Sequence, residues 1–390
     1  MSRINTMQAE VLSLPALIRE QTPVLDDRIR AAFTRKDFDP IRQVILTGCG
    51  DSYYAGLGTR FFFNKYCGVP ALGLNAMDTG RYILYDAHPD LARATLVITT
   101  SVSGRVTRTV EAMRIAKHVN ALTVAITGHP EAPLAQACSR IIDCTIPDLP
   151  NPDDDIIPGV RSYRMTLLVH YLLALHFAVL TGRLSRDDAD AYRARLLATA
   201  DAIERTIEKS DGAVRALVDI LASHNYFLFV GHGPHRATAE FSAAKVIEAA
   251  GLIAYGQDTE EWAHIQHYEN ARPAMPTFLF CSGQRGHDRV QHLIPHIKNT
   301  GRTLIGILSD KHAHEHTGFD HILRVYGDTG EFFTPIVYPV LPELFAAYLA
   351  DAIGVTFFRE EFPHYKNADI SRIRGTDTIT PDQLKAAGER

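Results

Sequence analysis

One order of segments occurs twice along this chain, and this repetition restricts the fold more than any other feature of the sequence. Each copy opens with a short apolar run, passes through a glycine turn and continues with helical spacing. The first copy has VILT at 44–47 before Gly48, and the second has YFLFV at 226–230 before Gly231. The pattern predicts two copies of one unit, offset by about 185 residues.

More strands of the same kind are predicted in both copies. They are TLVITT (95–100), ALTVAI (121–126), IIDCTI (141–146), PTFLFC (276–281) and TLIGIL (303–308). Strands that alternate with helices typically form a parallel, doubly wound sheet with helices on both faces. We therefore predict an α/β protein with two flavodoxin-like αβα domains in tandem.

The length of 390 residues and the hydrophobic content of 46% suffice for two buried cores. We predict a helical lead-in and a first domain with its connector helix over 1–200, a second domain over 201–355, and a tail over 356–390. The boundary is expected near 185–211, in a helical, charged segment.

Composition argues against several classes of partner. A net charge of −5 with dispersed lysines and arginines does not suit nucleic acid. The five cysteines show no C-x-x-C spacing, which argues against a disulfide framework and favours a reducing, cytoplasmic setting. We found neither a signal peptide nor a run of about 18 apolar residues, so we expect no membrane partner.

The glycine turns are the predicted ligand site, because loops after the carboxyl ends of parallel strands form the crevice of such a sheet. Gly50, Asp51, Ser52, Ser101 and Ser103 lie in these turns. Hydroxyls and free backbone N–H groups at helix starts suit anionic or polyhydroxyl ligands. Taken singly, each turn is better explained by tight turns and helix caps, but three such turns in register favour a ligand site.

Five motifs stand out along the chain: MQAEVLSLPALI, LTGCGDSYYAGL, ITTSVSG, AAKVIEAAG and EEWAH. They resemble motifs of the isomerase half of glucosamine-6-phosphate synthase and of the fructosamine deglycases, that is, of the sugar isomerase (SIS) family. The resemblance covers nearly the whole chain, without a glutaminase domain. It implies two SIS domains, no metal or organic cofactor, a small-molecule sugar substrate, and a homodimer whose active site is shared between subunits.

The resemblance assigns three catalytic residues. Glu248 matches the base, since moving a carbonyl between C1 and C2 needs a carboxylate that takes and returns a proton. His264, 16 positions further on, matches the ring-opening histidine, and Lys245 would stabilise the enolate oxygen. From spacing alone, a surface ion pair and a surface histidine remain an equal alternative. Val160, Ser162 and Arg372 are expected to contact substrate, and Arg161 and Arg164 are further candidates for binding a substrate carboxylate.

Two departures from the family pattern affect the substrate. Val106 replaces the last threonine of the phosphate-binding turn, and Asp51 introduces a carboxylate that repels phosphate. Arg105 could offset that charge, bind a sugar hydroxyl, or pair with Asp51. In the tail, Thr376 stands where the synthase has its Schiff-base lysine, with Lys366 ten residues upstream, which disfavours an aminotransferase.

These features together predict a deglycase that cleaves an Amadori-type fructosyl amino acid, unphosphorylated and opine-like, as in santhopine catabolism. The alternatives are a fructosamine-6-phosphate deglycase, a sugar-phosphate isomerase or an amino-sugar-phosphate deaminase. A sugar-sensing SIS module is an alternative from another class. The H-x-x-H pairs at His232/His235 and His264/His267 are weak indications of metal without a third ligand.

Overall fold

A computed structural model describes residues 5–149, 156–269, 274–315, 317–359, 361–362 and 378–388. They fall into two compact units, neither continuous in the chain. The first unit lies within 20–148, 162–194 and 368–390, and the second within 1–19, 149–161 and 195–367. The domain division expected from the sequence stays a prediction.

The first unit contains one sheet and its surrounding helices. Its elements are α1 (Thr6–Ala32, shared with the second unit), α2 (Arg35–Phe38), β1 (Gln43–Gly48), α3 (Asp51–Tyr66), β2 (Ala71–Asn75), a π-helical segment (Asp78–Leu84), α4 (Pro89–Arg93), β3 (Thr95–Thr100), α5 (Thr107–His118), β4 (Leu122–Thr127), α6 (Pro133–Ala137), β5 (Arg140–Asp143) and α7 (Arg161–Leu180). All five strands are parallel, in the order β2-β1-β3-β4-β5. Leu96, Val97 and Ile98 in central β3 are fully buried, as expected for a strand covered on both faces.

The second unit repeats this architecture. Its elements are α8 (Arg186–Leu221, shared with the first unit), β6 (Tyr226–Gly231), α9 (Pro234–Ala250), β7 (Ile253–Asp258), α10 (Thr259–His264), β8 (Pro276–Cys281), α11 (His287–Asn299), β9 (Thr303–Ser309), β10 (His321–Val325), α12 (Thr334–Val337) and α13 (Val340–Ile353), with short 3-10 turns between them. The strands are again parallel, in the order β10-β9-β8-β6-β7. A last helix, α14 (Pro381–Gly388), lies in the sequence range of the first unit.

The predicted fold class, two parallel sheets in an α/β chain, is confirmed. In both copies, the backbone of a helix packs directly against a glycine of an edge strand. A Cβ at Gly73 in β2 would lie 2.7 Å from Cα of Leu57 in α3, and one at Gly256 in β7 would lie 2.4 Å from Cα of Glu240 in α9. Glycine is therefore required at both positions, and in the second unit it holds α9 directly against β7.

Two helical stretches are long and apolar enough to cross a membrane, Arg161–Leu180 and Glu331–Ile353. The expectation that no stretch of the chain is long and apolar enough to span a bilayer is therefore wrong, as judged by length and composition alone. Their apolar windows are 89% and 83% buried within the fold. Burial of that extent is typical of core helices, whose apolar surface packs on all sides.

Candidate functional site

Lys245 and Glu248 form an ion pair on α9. They lie one helical turn apart, and Lys245 Nζ donates to Glu248 Oε2 over 2.6 Å. The lysine side chain is 0% exposed while the glutamate side chain is 29% exposed. A buried ammonium is costly unless it is paired, so this lysine depends on its carboxylate, and the alternative of a pair exposed on the surface is wrong for Lys245.

The sequence places Lys245 inside the unit because α9 is apolar around much of its circumference. Its Nζ lies 4.7 Å from the centre of the Phe241 ring, a cation–π contact one turn earlier. α9 ends at Ala250, and Gly251, with φ 65°, forms the left-handed cap that closes the helix. Glu248 therefore stands in the last turn of a rigid helix, where its position is fixed by the backbone.

Glu10 is a further acidic residue of this region that the sequence reasoning missed. Its Oε2 accepts the backbone N–H groups of Val160 and Arg161, each over 3.3 Å. Burial raises the pKa of the Glu10 carboxyl, against the opposing effects of those N–H groups and of the charges on Arg161 and Lys245. Glu10 thus fixes the start of α7, where Val160 was predicted to contact substrate.

The sequence did contain a sign of this role. Met7, Val11 and Leu14 are fully buried at helical spacing in α1, and Glu10 lies three residues after Met7 and four before Leu14. A carboxylate on an apolar helical stripe is unusual, because burying it costs free energy unless it has partners.

His264 lies at the end of α10 and is exposed. Asp258 caps this helix by accepting the N–H groups of Glu260 and Glu261, both over 2.9 Å. The Nδ1 atom of His264 lies 2.8 Å from the carbonyl oxygen of Glu260, which can only accept, so Nδ1 carries the proton. Nε2 is then the nitrogen that can take up a proton from a ligand.

Within one chain, Glu248 and His264 lie at opposite ends of β7. Glu248 is near the end of α9, which leads into the amino end of the strand, and His264 follows the carboxyl end. A strand of six residues spans about 20 Å. The order of the elements therefore separates the two residues by about the length of β7 within one chain.

In the first unit, the turn after β3 contains a buried hydroxyl whose hydrogen-bonding capacity is unsatisfied among the described residues. Ser101 is 4% exposed, and among the described residues its Oγ has no hydrogen-bond partner. The turn is set by the backbone, since Gly104 N–H donates to the Ser101 carbonyl over 2.9 Å. Burying a hydroxyl without a hydrogen-bond partner costs desolvation free energy. A ligand that hydrogen-bonds to the hydroxyl would offset this cost.

The other predicted turn residues are more exposed. Asp51 and Ser52 are half-buried in the first turn of α3, which follows Gly50 at φ 57°. Ser103 is exposed, and its Oγ accepts the backbone N–H of Arg105 over 3.4 Å. Arg105 is exposed too.

The remaining predicted residues divide between described and undescribed parts. Ser162 is half-buried and its carbonyl accepts the Thr166 hydroxyl over 2.9 Å. Arg372, Thr376 and Lys366 lie outside the described residues. The described part of the tail reaches the end of α9, where Arg359 Nη1 donates to the Ala250 carbonyl over 3.0 Å.

Two further sets of side chains bear on the chemistry. Arg161 and Arg164 are buried, at 7% and 0% exposure, and so differ from ordinary solvent-facing arginines. In the described ranges, no cluster of three histidine, cysteine or acidic side chains could hold a metal ion. The five cysteines, all described, are free, and only Cys49 is exposed.

A protein-family model described as SIS domain matches residues 38–176, which contain all of the first sheet. Residues 38–176 of the chain therefore match a SIS domain. The second unit repeats the strand order of the first, so the tandem arrangement agrees with the repeat found in the sequence.

Curated relatives confirm the resemblance to the isomerase half of the synthase. The chain is 25% identical over 348 residues to glutamine–fructose-6-phosphate aminotransferase of Xylella fastidiosa, across 85% of this chain and 55% of that enzyme. The enzyme of the same name from Thermococcus kodakarensis is 26% identical over 308 residues, 79% of this chain and 49% of its own. The chain thus spans about half the length of the curated relatives it matches.

Solved structures agree on the fold. The C-terminal domain of glucosamine-fructose-6-phosphate aminotransferase from Francisella tularensis superposes with a TM-score of 0.78 at 18% identity, covering 90% of this chain and 97% of that domain. Glucosamine-6-phosphate deaminase from Thermotoga maritima gives 0.67 at 16% identity, covering 92% and 98%. Similarity at this level of identity establishes the architecture alone.

Proposed function

We propose that this SIS protein is an enzyme that transfers a proton between C1 and C2 of a sugar, with Glu248 as the base. The observation that carries the proposal is the 2.6 Å ion pair from buried Lys245 to a carboxylate that keeps 29% exposure. The pairing places the Glu248 carboxylate beside a fixed cation, while its exposure leaves room for a substrate. The resemblance of AAKVIEAAG to the catalytic helix of the family supports the same assignment.

The substrate that we propose is an Amadori-type fructosyl amino acid. Glu248 removes a proton from C1, and the electron pair forms a C1=C2 enaminol whose oxygen sits on C2. The same carboxylic acid returns the proton to C2, and the nitrogen lone pair forms a C1 iminium. Water adds to C1 and the C1–N bond breaks, so one fructosyl amino acid and one water give one aldose and one free amino acid.

Lys245 and His264 have separate roles in this scheme. The Lys245 ammonium stabilises negative charge as it develops on the C2 oxygen. His264, with Nδ1 bonded to the Glu260 carbonyl, uses Nε2 to exchange a proton with the ring oxygen and open the sugar. Because Glu248 and His264 lie at opposite ends of β7, we propose a homodimer in which each site takes its histidine from the partner subunit.

We propose an unphosphorylated sugar because of two residues in the first unit. Val106 precedes α5 and provides no side-chain cap, so a hydroxyl that would bind phosphate is missing there. Asp51 adds a carboxylate at the start of α3, and like charges a few ångströms apart repel. Opine-like fructosyl amino acids such as santhopine fit this chemistry, in a reducing cytoplasmic setting.

The test uses the full chain with fructosyl-glutamine and with its 6-phosphate, and it measures released glutamine. We expect release from the unphosphorylated compound, and its loss in Glu248→Gln. Glu240→Gln is the matched control, because Glu240 also pairs along α9, with Arg236 at 3.0 Å. Release that survives Glu248→Gln, or no release from either compound, contradicts the proposal.

The second candidate is a sugar-phosphate enzyme, either a fructosamine-6-phosphate deglycase, an isomerase or an amino-sugar-phosphate deaminase. The buried Ser101 hydroxyl, which has no partner among the described residues, favours it, since such a group could donate to a phosphate oxygen. The relatives named above act, by their names, on 6-phosphates. Turnover of fructose-6-phosphate or glucosamine-6-phosphate, with no turnover of unphosphorylated substrates, would favour this candidate over the first.

A sugar-sensing module is the remaining class. A sensor has no need of a proton-transferring carboxylate. The ion pair of the buried Lys245 with the partly exposed Glu248 therefore argues for catalysis. Binding of a sugar without turnover of any compound in the two preceding tests would favour the sensor.

A further inference from the structure

A polar pocket lies at the carboxyl ends of β8, β9 and β10 in the second unit. Its volume is about 160 Å³, which is room for about five water molecules and comparable to one sugar ring. Its walls include Ser282 after β8, Ser309 at the end of β9, Lys311 beyond it, and Asp328 and Thr329 after β10. Loops after the carboxyl ends of adjacent parallel strands are where doubly wound sheets bind ligands.

This pocket is separate from the proposed catalytic residues. α9 begins at Pro234, at the carboxyl end of β6, and Glu248 lies 14 residues along it. With 1.5 Å of rise per residue, Glu248 is about 21 Å from that edge of the sheet. His264 follows β7, which lies two strands from β8, or about 10 Å.

The internal repeat relates this pocket to the sugar-binding turns proposed for the first unit. The two sheets share one strand order, in which β3 corresponds to β8 and β4 to β9. Ser101 directly follows β3 and Ser282 directly follows β8, while Thr127 ends β4 and Ser309 ends β9. Both copies thus have hydroxyl side chains at the carboxyl ends of the same two strands of the sheet.

The charges in the wall are balanced. Lys311 Nζ lies 2.9 Å from Asp328 Oδ2, and this contact lowers the pKa of the aspartate. Tyr338 is 2% exposed and burial raises the pKa of its hydroxyl, so it stays a neutral donor and acceptor. A wall of hydroxyls with a neutralised ion pair suits hydroxyl groups better than a phosphate or a carboxylate.

We propose that the second SIS unit has a ligand site of its own, in the pocket between Ser282, Ser309 and Thr329, for a neutral monosaccharide or polyol. This site is independent of the reaction proposed for Glu248. A neutral sugar bound here would lie on the same polypeptide as the catalytic ion pair without contacting it.

The experiment measures hydrogen exchange by mass spectrometry on the full chain, with and without glucose, mannose or fructose. We expect slower exchange in peptides that cover 309–312 and 327–330. A Ser282→Ala/Ser309→Ala double variant should weaken this binding about tenfold, since two hydroxyl contacts are lost. Ser101→Ala, the matched serine of the other repeat, should leave exchange in these two peptides unchanged.

Protection confined to the turns of the first unit would overturn the proposal, as would protection by sugar phosphates alone. Equal affinity of the double variant and the wild type would do the same. If the double variant fails to fold, the wild-type exchange pattern and its comparison with Ser101→Ala decide the question. Because the readout is binding, Glu248→Gln can be measured alongside, and a failure of the catalytic proposal leaves this result unaffected.

Discussion

The ammonium of Lys245 is completely buried and lies 2.6 Å from the carboxylate of Glu248, which remains partly open to solvent. This asymmetry fits the proposed catalytic role, in which the carboxylate must reach a substrate. An exposed pair contributes little to stability, and a fully buried pair often costs more in desolvation than its attraction returns. Here the protein desolvates the cation and leaves the carboxylate accessible.

The first prediction separates stability from catalysis at Lys245. In Lys245→Met a buried cation is replaced by an apolar side chain of similar length, while Glu248 can still be hydrated. We expect the free energy of unfolding to change by no more than about 1 kcal/mol. We expect kcat to fall about 100-fold, because the ammonium that stabilises the negative charge on the enolate oxygen is lost. Urea denaturation and steady-state kinetics measure the two quantities. An unchanged kcat would show that the lysine is structural only.

The second prediction concerns the pH dependence of stability at Glu10. Its pKa is raised in the folded protein above its ordinary value of 4.5. The folded state therefore binds this proton more tightly than the unfolded state, so the contribution is present below pH 4.5 and is lost as pH rises through the folded pKa. Glu10→Gln lacks this titration.

We therefore expect Glu10→Gln to gain stability relative to the wild type as the pH is raised from 4.5 to 8. Denaturation curves for both proteins at three pH values across that window measure the difference. A difference that is constant with pH, or that changes in the opposite direction, would mean that the carboxyl is not held at a raised pKa beside Val160 and Arg161.

The third prediction concerns the hydroxyl of Ser101. Because this buried hydroxyl has no partner within the described residues, Ser101→Ala should leave stability unchanged or raise it by up to about 1 kcal/mol. KM should rise about tenfold if substrate binds the hydroxyl. A fall in Tm together with an unchanged KM would assign the serine to the fold rather than to the ligand.

The sequence predicted the central strands of both sheets, and it missed three edge strands. β1, β3, β6, β8 and β9 are continuous apolar runs because helices cover both faces. β2, β7 and β10 have mixed burial and interrupted apolar patterns, as in IAYGQD of β7, so periodicity did not distinguish them from loops. The predicted strand at 141–146 begins one residue earlier and ends at Asp143.

The site was predictable only in part, for a physical reason that Glu10 and Lys245 illustrate. The spacing of Lys245 and Glu248 fixed their common face on α9, because helical geometry is local. Which member of the pair is buried depends on packing from distant segments. Glu10 contacts residues 150 positions away in the chain, and no local pattern specifies such a contact.

The fourth prediction tests the shared site. If Glu248 acts with the histidine of the partner subunit, mixing Glu248→Gln with His264→Asn chains creates heterodimers with one intact site in two. Complete exchange at equal concentrations should restore about a quarter of wild-type activity. Native mass spectrometry would establish that heterodimers form. Heterodimers without activity above that of the separate variants would show that the two residues act in the same chain or not together.

The most direct test of Glu248 as the proton-transferring base follows hydrogen itself. Because the Glu248 carboxyl is partly exposed, the proton that it takes from C1 exchanges with solvent before it reaches C2. With fructosyl-glutamine in D₂O, the wild type and Glu240→Gln should therefore release glutamine and yield an aldose that carries solvent deuterium at C2, visible by mass spectrometry. Glu248→Gln should show neither release nor deuterium at C2. Deuterium incorporation or glutamine release that persists in Glu248→Gln would contradict the account.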